Sequence, residues 1–412
     1  MKFVRAVLAP KSLRGEFPLL LLPFILCLAG SAAGQGWQHK GKLVPEWRYF
    51  LESGKTPQAL DHSQASLRAE VELDWQSENG KQAIRFTPYV RLDTEDSERS
   101  HIDIRELNVQ FREGDWQLSA GINKLYWGVS ESRHLVDIIN QTDNLDDIDG
   151  EDKLGQPMIA LSFHQDWGSL EAFYLPVFRE QKFPGPKGRL GPGVPLVSKA
   201  IYKSSSGKHH KDIALRYSHT LGDFDIGAYW FDGTDRQPTF TPIPDSDFWA
   251  PTYTLIKQVA LDLQYTHEAW LWKLEALRRE GQGDNFYAFV GGFEYTYYQM
   301  GSGRFDLGVL MEYLYDGRDE RDSQVPITLF QNDLFLGLRM GFHDTQNTAL
   351  LAGVMSDLGG EEHSLMLEFE RRMSPRWFMA VEGRFFQRSR ASSPQRVFDG
   401  DSFLTLSVSR YF

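Results

Sequence analysis

The sequence predicts an all-β fold: a transmembrane antiparallel β-barrel of about 18 strands, with short periplasmic turns and long extracellular loops. Three observations predict this fold. Side chains alternate between apolar and polar along many segments, and the connections between those segments alternate in length. The last segment is a two-faced strand that ends at Phe412.

Alternation is clearest in two segments, 65–76 and 83–93. In the first, apolar residues on one face alternate with charged residues on the other: Leu67, Ala69, Val71, Leu73 and Trp75 against Arg68, Glu70, Glu72 and Asp74. In the second, Arg85 and Arg91 stand on the polar face. A soluble β-sandwich would show the same alternation because its apolar faces bury each other, so alternation alone leaves both architectures open.

Turns and tryptophans separate the two architectures. Eight short connections are predicted at 77–81, 113–115, 165–168, 221–223, 267–269, 300–304, 343–347 and 373–376, each followed by a strand and then usually by a longer loop. Five of the 11 tryptophans lie beside these turns, namely Trp75, Trp116, Trp167, Trp270 and Trp377. A membrane interface accounts for tryptophan collected at one end of the strands, whereas a sandwich gives no reason for it.

Four connections are much longer than these turns: 128–156, 178–211, 232–255 and 316–331. The second contains a stretch rich in proline and glycine, 184–195, which we expect to be irregular. Loops of this length are usually lids or disordered segments. The sequence leaves open whether one or more of them folds into the lumen.

The start of the chain has the order of a secretory signal peptide. Four basic residues, Lys2, Arg5, Lys11 and Arg14, precede an apolar run over 17–28 and the small residues of 29–33. The run is too short for a transmembrane helix, so we predict a signal peptide at 1–33 and one barrel domain at 34–412, with strands from about Lys42. The mature chain would lack cysteine, because Cys27 is removed, and would be more acidic than the full sequence, whose net charge is −12.

Motifs for catalysis do not occur in the sequence, which has no Gly-x-Ser-x-Gly elbow, no His-Glu-x-x-His and no phosphate-binding glycine loop. The acidic run 143–152 could hold Ca²⁺, but Leu145 occupies the first ligand position of a hand-type loop, so a solvated acidic loop is favoured. His209 and His210 could ligate a metal, although adjacent histidines without carboxylates are more often a polar loop. We therefore predict no enzymatic activity, no metal site and no cofactor.

Charged residues on the polar face of the strands are the candidate functional residues. The main lumen-facing candidates are Glu70, Glu72, Asp74, Arg85, Arg91, Glu294, Glu312, Arg339, Glu368 and Arg384. Further candidates are Arg68, Glu106, Glu171, Arg216, Asp225, Asp262, Lys273, Glu275, Asp306, Glu370 and Glu382. Acidic candidates outnumber basic ones by about two to one, so an open pore would modestly prefer cations. A hydrated inner face without selectivity is the alternative.

Two stretches resemble known proteins. The strand 402–412, with its terminal Phe412, is similar to the closing strand of bacterial outer-membrane β-barrels, in which this end is the signal for the insertion machinery. The residues Gly-Ile-Asn-Lys-Leu-Tyr-Trp-Gly at 121–128, followed by Asp-Ile-Ile-Asn-Gln-Thr-Asp at 137–143, resemble a family of outer-membrane barrels of unassigned function related to alginate-export porins. That resemblance implies that Trp127 and Gly128 mark a strand rim and that Asn140 and Asp143 brace a loop against the wall.

These observations predict a protein of the bacterial outer membrane that contacts lipid and is inserted by the barrel assembly machinery. An acidic exported protein is not expected to bind nucleic acid. We expect a porin-like channel or export conduit for small polar or cationic solutes, because charged residues line one face of the sheet. An anionic polymer such as alginate would instead favour an arginine-rich path. The alternative is a non-conducting structural or assembly component that is anchored by the barrel and linked to a periplasmic partner.

Overall fold

A closed β-barrel accounts for most of the chain. The computed structural model describes residues 36–56, 58–319, 321–360, 362–387 and 393–412, so the predicted signal peptide at 1–33 lies outside the described residues. Within the described part, one antiparallel sheet of 18 strands forms the barrel and a second sheet contains three short strands. No helix in these ranges is long and apolar enough to span a membrane.

The strands vary in length from two to 14 residues. In chain order they are β1 Trp37–Phe50, β2 Ser63–Gln76, β3 Gln82–Asp93, β4 His101–Glu113, β5 Trp116–Asn123, β6 Gln156–Gln165, β7 Gly168–Leu175, β8 Ile201–Tyr202, β9 Asp212–Leu221, β10 Phe224–Thr234, β11 Thr239–Pro242, β12 Trp249–Tyr253, β13 Leu255–His267, β14 Trp270–Glu280, β15 Phe286–Gln299, β16 Phe305–Asp316, β17 Asn332–Phe342, β18 Ala349–Asp357, β19 His363–Ser374, β20 Trp377–Phe386 and β21 Phe403–Tyr411. The other elements are two 3-10 helices, Gly207–His209 and Pro394–Phe398, and a helical turn at Met300–Gly303.

Pairing between the first and last strands closes the barrel. β1 and β21 run antiparallel, with Lys42 opposite Tyr411 at one end and Phe50 opposite Phe403 at the other. Closure removes the free sheet edges, which a barrel in lipid requires because no water there could satisfy the N–H and C=O groups of an edge strand. The prediction of a closed antiparallel barrel with about 18 strands is confirmed.

Short and long connections alternate around the barrel. Every predicted short turn joins two neighbouring strands, and all of these turns lie at the barrel end that holds the start of β1 and the end of β21. β1 begins at Trp37, earlier than the predicted start near Lys42. Its first residues do not alternate between apolar and polar, but they pair with β2, with Trp37 opposite Trp75. Pairing with a neighbour therefore extends a strand that its own sequence does not define.

Two of the long loops contain strands that the sequence did not predict. β8 lies in the loop between β7 and β9, whereas β11 and β12 lie in the loop between β10 and β13. β12 pairs antiparallel with β11 and parallel with β8. Pro242 and Pro251 occur in these strands, so their extended conformation depends on pairing between loops that are distant in sequence.

The outer face of the barrel is apolar. Neighbouring strands bring large side chains into continuous rows, one of which contains Leu118, Leu161, Leu215, Trp230 and Val259. Each of these five side chains is at least 36% exposed. Rows of exposed apolar side chains on this scale suit contact with lipid.

Tryptophans mark the end of the barrel that carries the short turns. Trp116, Trp167, Trp270 and Trp377 all lie exposed beside those turns. Such amphipathic rings are typical of a membrane interface, where one part of the ring meets lipid and the N–H meets water. Four of the five tryptophans predicted to form the aromatic girdle are therefore exposed, whereas Trp75 is partly buried. The closed sheet excludes the soluble sandwich.

Candidate functional site in the barrel lumen

Cross-strand pairing gathers the predicted charged residues on one face of the sheet. One row passes from Arg48 through Glu382 and Glu368 to Arg339, across β1, β21, β20, β19, β18 and β17. The opposite face carries the exposed apolar rows. The charged row therefore points into the lumen.

Most of the main candidates form an ion pair with an opposite charge. The ion pairs are Glu70 with Lys42 at 2.9 Å, Asp74 with Arg85 at 2.7 Å, Glu294 with Arg339 at 3.4 Å and Glu368 with Arg384 at 2.8 Å. Glu72 lies on the same face of β2 as Glu70 and Asp74. Paired charges largely cancel each other's field, so the predicted cation preference depends on the charges that remain without a partner.

The connection between β5 and β6, residues 124–155, folds into the lumen and is called the inserted loop below. Two buried glutamates on the barrel wall, Glu275 of β14 and Glu312 of β16, hold its first half through backbone N–H groups. Val129 and Ser130 donate to Glu275 at 2.8 and 2.9 Å, and Glu131 and Ser132 donate to Glu312 at 2.8 Å each. Carboxylates that accept several N–H groups form strong, directional attachments. Both glutamates were predicted to face the lumen, but their partner was not.

Gly128 allows the inserted loop to approach Glu275. Its φ of 125° is a conformation that residues with a side chain avoid. A Cβ atom at this position would also lie 2.8 Å from Oε1 of Glu275 and 3.1 Å from Nδ1 of His134. Glycine is therefore needed here for both its conformation and its small size.

The residue before it, Trp127, packs into an apolar part of the lumen. Its ring lies 5.5 Å from that of Phe173 and 4.9 Å from that of Tyr229, measured between centroids. Val136 and Ile139, further along the inserted loop, are fully buried in the same cluster. The inner face of the barrel is thus partly apolar, which differs from the charged face that the sequence predicted. The difference arises because the inserted loop covers those wall residues and excludes water from them.

Asn140 closes the base of the inserted loop. Its Oδ1 accepts the N–H of Leu125 at 3.0 Å, and its Nδ2 donates to the carbonyl oxygens of Asn123 and Leu154 at 2.9 Å each. One side chain therefore joins the segment that enters the lumen to the segment that leaves it.

The acidic run of the inserted loop binds arginines on the wall. Asp146 accepts hydrogen bonds from Arg91 at 2.8 Å and Arg105 at 2.7 Å, and from the hydroxyl of Tyr89. Asp143 forms an ion pair with Arg105 at 2.6 Å. Burial alone would raise the pKa of Asp146, but Arg91 and Arg105 hold it well below its usual range. Both aspartates are buried, so the interpretation of 143–152 as a solvated acidic loop is wrong for this part of it.

Metal binding is poorly supported at the two positions considered from sequence. His101, Asp143 and Asp146 bring ligand atoms within 4.8 Å of one another, but Arg91 and Arg105 already neutralise the two carboxylates. A cation placed there would face two guanidinium groups.

His210, in the loop between β7 and β9, contacts Asp212 at 2.9 Å. Its Nδ1 is therefore engaged with a carboxylate in the wall, which suits a polar loop contact.

The second half of the inserted loop is attached to the remaining wall. Asp147 pairs with Arg48 of β1 at 3.0 Å, and Asp149 with Arg384 of β20 at 3.5 Å. Glu131, in the first half, pairs with Arg339 of β17 at 2.5 Å. These contacts, together with those at Glu275, show that the inserted loop crosses the full width of the lumen.

A polar chain in the inserted loop faces the water-accessible part of the lumen. Nε2 of His134 lies 2.7 Å from Glu151 and also contacts the hydroxyl of Tyr126. Burial would lower the pKa of His134, but hydrogen bonds with Glu151 and Glu275 raise it to about 9. Burial, reinforced by Asp147, raises the pKa of Asp149 to about 7. His134 and Asp149 of the inserted loop therefore titrate near or above neutral pH.

Several residues that hold the inserted loop were not predicted from the sequence. Arg105 lies at a β-bulge, where the β3–β4 register shifts between Thr87 and Pro88, so strict alternation does not place it on the inner face. Arg48 lies in β1, whose alternation is weak. Arg133 is within the inserted loop and bonds Thr328 at 3.1 Å, a contact between two loops. The sequence indicated one of these positions: Pro88 suggests a bulge opposite it in β4, because proline in a sheet often occurs at bulges.

Two cavities remain on either side of the inserted loop. One, of about 570 Å³, lies near the short-turn end and is lined by Tyr126, Arg216, Asp225 and Asp262 among others. The other, of about 340 Å³, lies between the inserted loop and the wall of β17–β20. These spaces contain several of the predicted lumen candidates.

Phe412 lies at the seam between the first and last strands. Its N–H donates to the carbonyl of Gly41 at 3.0 Å, and its own carbonyl accepts from the N–H of Gly41 at 3.1 Å. The ring of Phe412 also covers the space beside Gly41, where a Cβ would collide with it. The terminal residue thus extends the β1–β21 seam.

Solved outer-membrane barrels have a similar fold. The chain is similar to Escherichia coli Wzi, an outer-membrane protein involved in group 1 capsule assembly and described as a carbohydrate-binding β-barrel: identity 10%, TM-score 0.53, coverage 96% of this chain and 89% of that one. Pseudomonas aeruginosa OccK8 (OprE) is 10% identical with a TM-score of 0.54, and the match covers 91% of this chain and 98% of that one. Acinetobacter baumannii OccAB1 is 8% identical with a TM-score of 0.54, and the match covers 93% of this chain and 99% of that one.

No protein-family model and no curated protein sequence matches the chain. Similarity at such low identity concerns the fold, and nothing in it supports a specific relation to alginate-export porins. The closed barrel of 18 strands agrees in fold with those neighbours, and its apolar outer face and tryptophan girdle suit a membrane. The chain is a β-barrel protein of the bacterial outer membrane.

Proposed function

We propose that the protein is a constricted channel for small polar solutes, with cations preferred. The observation that supports this proposal is that charged side chains beside the inserted loop remain in contact with water. The side chain of Glu151 is 50% exposed and that of Arg339 is 41% exposed. A loop that sealed the lumen would bury such charges at a high cost in free energy.

The proposed preference for cations is small. Among the described residues, Glu72 and Glu370 form no ion pair within 4.0 Å, but Lys124 is also exposed without one. Most other charges of the inner face neutralise each other. The remaining field is further screened over about 10 Å at 0.1 M salt.

Planar lipid bilayers provide the test. Purified, refolded protein should form small, stable channels, and the reversal potential in a tenfold KCl gradient should have the sign of a weak cation preference. A preference for anions would contradict the charge assignment. Folded barrels that insert without conducting would contradict the channel itself.

A non-conducting structural or assembly component is the second candidate. It is favoured by the extent of the apolar packing around Trp127 and by the buried ion pairs at Asp146, because both stabilise a filled lumen. Wzi is described as a barrel that takes part in capsule assembly, and a role of that type for this chain, with a periplasmic partner, is part of this second proposal. Zero conductance from a verified barrel would favour it.

Three further aspects belong to the proposal. We propose that the chain has no enzymatic activity, because polar groups such as Ser132 and His134 already bond Glu312 and Glu151 to hold the inserted loop. Kinship with the barrels related to alginate-export porins is proposed on the motif at 121–128 and 137–143 alone. Recognition of the C-terminal strand by the barrel assembly machinery is proposed on Phe412.

A further inference from the structure

The cavity of about 340 Å³ has two chemically different walls. One wall is apolar and is formed by Phe330, Phe335, Met355, Met366 and Phe386. The volume of the cavity falls in the range of small-ligand sites. Aromatic and methionine side chains adapt well to an apolar group of variable shape.

The other wall is acidic. Glu131, Asp149 and Glu151 of the inserted loop and Glu368 of β19 contribute four carboxylates. Arg384 is the one basic residue among the described residues that line the cavity, while Arg339 and His134 pair with Glu131 and Glu151 from outside the lining. Three carboxylates share the guanidinium of Arg384, namely Glu368 at 2.8 Å, Glu382 at 2.9 Å and Asp149 at 3.5 Å, so negative charge exceeds positive charge around this side chain. An added positive charge would relieve that surplus.

The cavity is open to water. The side chains of Glu151 and Glu368 are 50% and 36% exposed, whereas Phe335 behind them is almost completely buried. A molecule can therefore reach the carboxylates first, and its apolar group can contact Phe330, Met366 and Phe386, which are only partly buried.

We propose that this cavity binds organic cations that carry an apolar group, such as amines with a short aliphatic or aromatic body. The ammonium group lies among the carboxylates of Glu151, Asp149 and Glu368, and the apolar body packs against Met366 and Phe386. The inference names a solute class for the proposed channel and in that sense rests on it. Binding itself, however, requires only the folded barrel.

The first test is equilibrium binding to the full-length barrel in detergent, measured by isothermal titration calorimetry with protein-free micelles as the blank. Phenethylammonium should bind about tenfold more tightly than methylammonium, which lacks the apolar body, and than 3-phenylpropionate, which has the opposite charge. Equal affinity for phenethylammonium and 3-phenylpropionate would overturn the role of the carboxylates. Equal affinity for the two amines would overturn the role of the apolar wall.

A matched pair of variants locates the site. Glu368→Gln removes a carboxylate of the cavity and should weaken phenethylammonium binding about fivefold. Glu106→Gln removes a lumen carboxylate on β4, which does not line this cavity, and should leave the affinity unchanged. Arg384→Gln removes the one lining base and should strengthen binding. Equal effects of Glu368→Gln and Glu106→Gln would overturn the assignment.

Bilayer recordings separate this inference from the proposed function. Phenethylammonium should interrupt the single-channel current in wild type and less often in Glu368→Gln. Conductance without any amine binding would overturn the inference and leave the channel intact. Amine binding by a barrel that does not conduct would support the site and overturn the channel.

Discussion

At the scale of single residues, Glu275 shows how the barrel wall positions the inserted loop. It is fully buried, and its carboxylate accepts the N–H groups of Val129, Ser130 and Val136 at 2.8, 2.9 and 3.2 Å. A buried carboxylate is costly unless its oxygens are satisfied, and here backbone donors from the inserted loop satisfy them. The attachment therefore depends on the loop's backbone conformation more than on its side chains.

Glu275→Gln should loosen the inserted loop while leaving the barrel intact. The amide keeps one acceptor but turns a donor towards other N–H groups, and hydrogen bonds to a charged group are worth about 1.5–3 kcal/mol. Hydrogen exchange at Val129 and Ser130, measured by mass spectrometry, should become about tenfold faster. Glu294→Gln is the control, since Glu294 pairs with Arg339 and does not contact the loop backbone. Unchanged exchange at these amides in Glu275→Gln would contradict this role.

His134 and Asp149 make the attachment of the inserted loop depend on pH. His134 faces Tyr126, Glu151 and Glu275, and its pKa of about 9 is above its ordinary value. Its contribution to stability is therefore complete below pH 6.5 and is lost as the pH rises through about 9.

The pKa of Asp149 is raised to about 7, mainly by burial, so its contribution to stability changes with pH in the same direction as that of His134. Its protonated form suits the folded loop, so that contribution is complete below about pH 3.8 and is lost as the pH rises through about 7. The lowered pKa of Asp146 acts in the opposite sense and matters only under acidic conditions.

We therefore expect the inserted loop to be held more tightly at pH 5 than at pH 9.5. Protection factors of the loop amides, corrected for intrinsic exchange, should fall across this range. In His134→Gln the part of the decrease near pH 9 should disappear, whereas the part near pH 7 should persist. Protection that rises with pH in wild type would show that the sign is wrong.

At the scale of elements, the sequence predicts strands well and the inserted loop poorly. Segments such as β2 repeat their pattern every two residues, and each short turn separates two such patterns, so local information is sufficient. The path of 124–155 depends on contacts with Glu275, Glu312 and Arg91, which are far away in the sequence. No local sequence pattern can predict contacts between residues that are so far apart in the chain.

The same dependence on distant contacts explains which site residues could be predicted from the sequence and which could not. Glu312 and Arg384 could be placed on the inner face because alternation in their strands is regular. Arg105 could not, because the bulge opposite Thr87 and Pro88 adds a residue to β4 and shifts its pattern. Asp143 and Asp146 had the composition of a solvated loop, and only the arginines of the wall show that they are buried.

The β1–β21 seam gives a prediction for the last strand. Deletion of Phe412 removes the paired hydrogen bonds with Gly41 and the ring that covers it, so the seam is shortened. We expect less protein in the outer membrane, with export across the inner membrane unaffected, as measured by immunoblotting of membrane fractions. Phe412→Trp keeps an aromatic end and a free carboxylate and should insert normally. Full insertion of the deletion variant would contradict the assembly role of Phe412.

At the scale of the whole molecule, the barrel and the inserted loop have separate tasks. The barrel needs only closed strand pairing and an apolar outer face, whereas the width of the path depends on how the loop crosses it. The attachments at Glu275 and Glu312 on one side and at Arg91 and Arg48 on the other fix that crossing. Weakening one side should widen the path without opening the sheet.

The most direct measurement is the single-channel conductance of wild type beside that of the double variant Glu275→Gln, Glu312→Gln, both verified as folded barrels by their heat-dependent gel mobility. If the inserted loop constricts an otherwise open lumen, wild type should conduct weakly and the double variant should conduct about twofold more or better. Equal conductance in the two proteins would contradict a constriction formed by the loop. No conductance from either protein would contradict the channel.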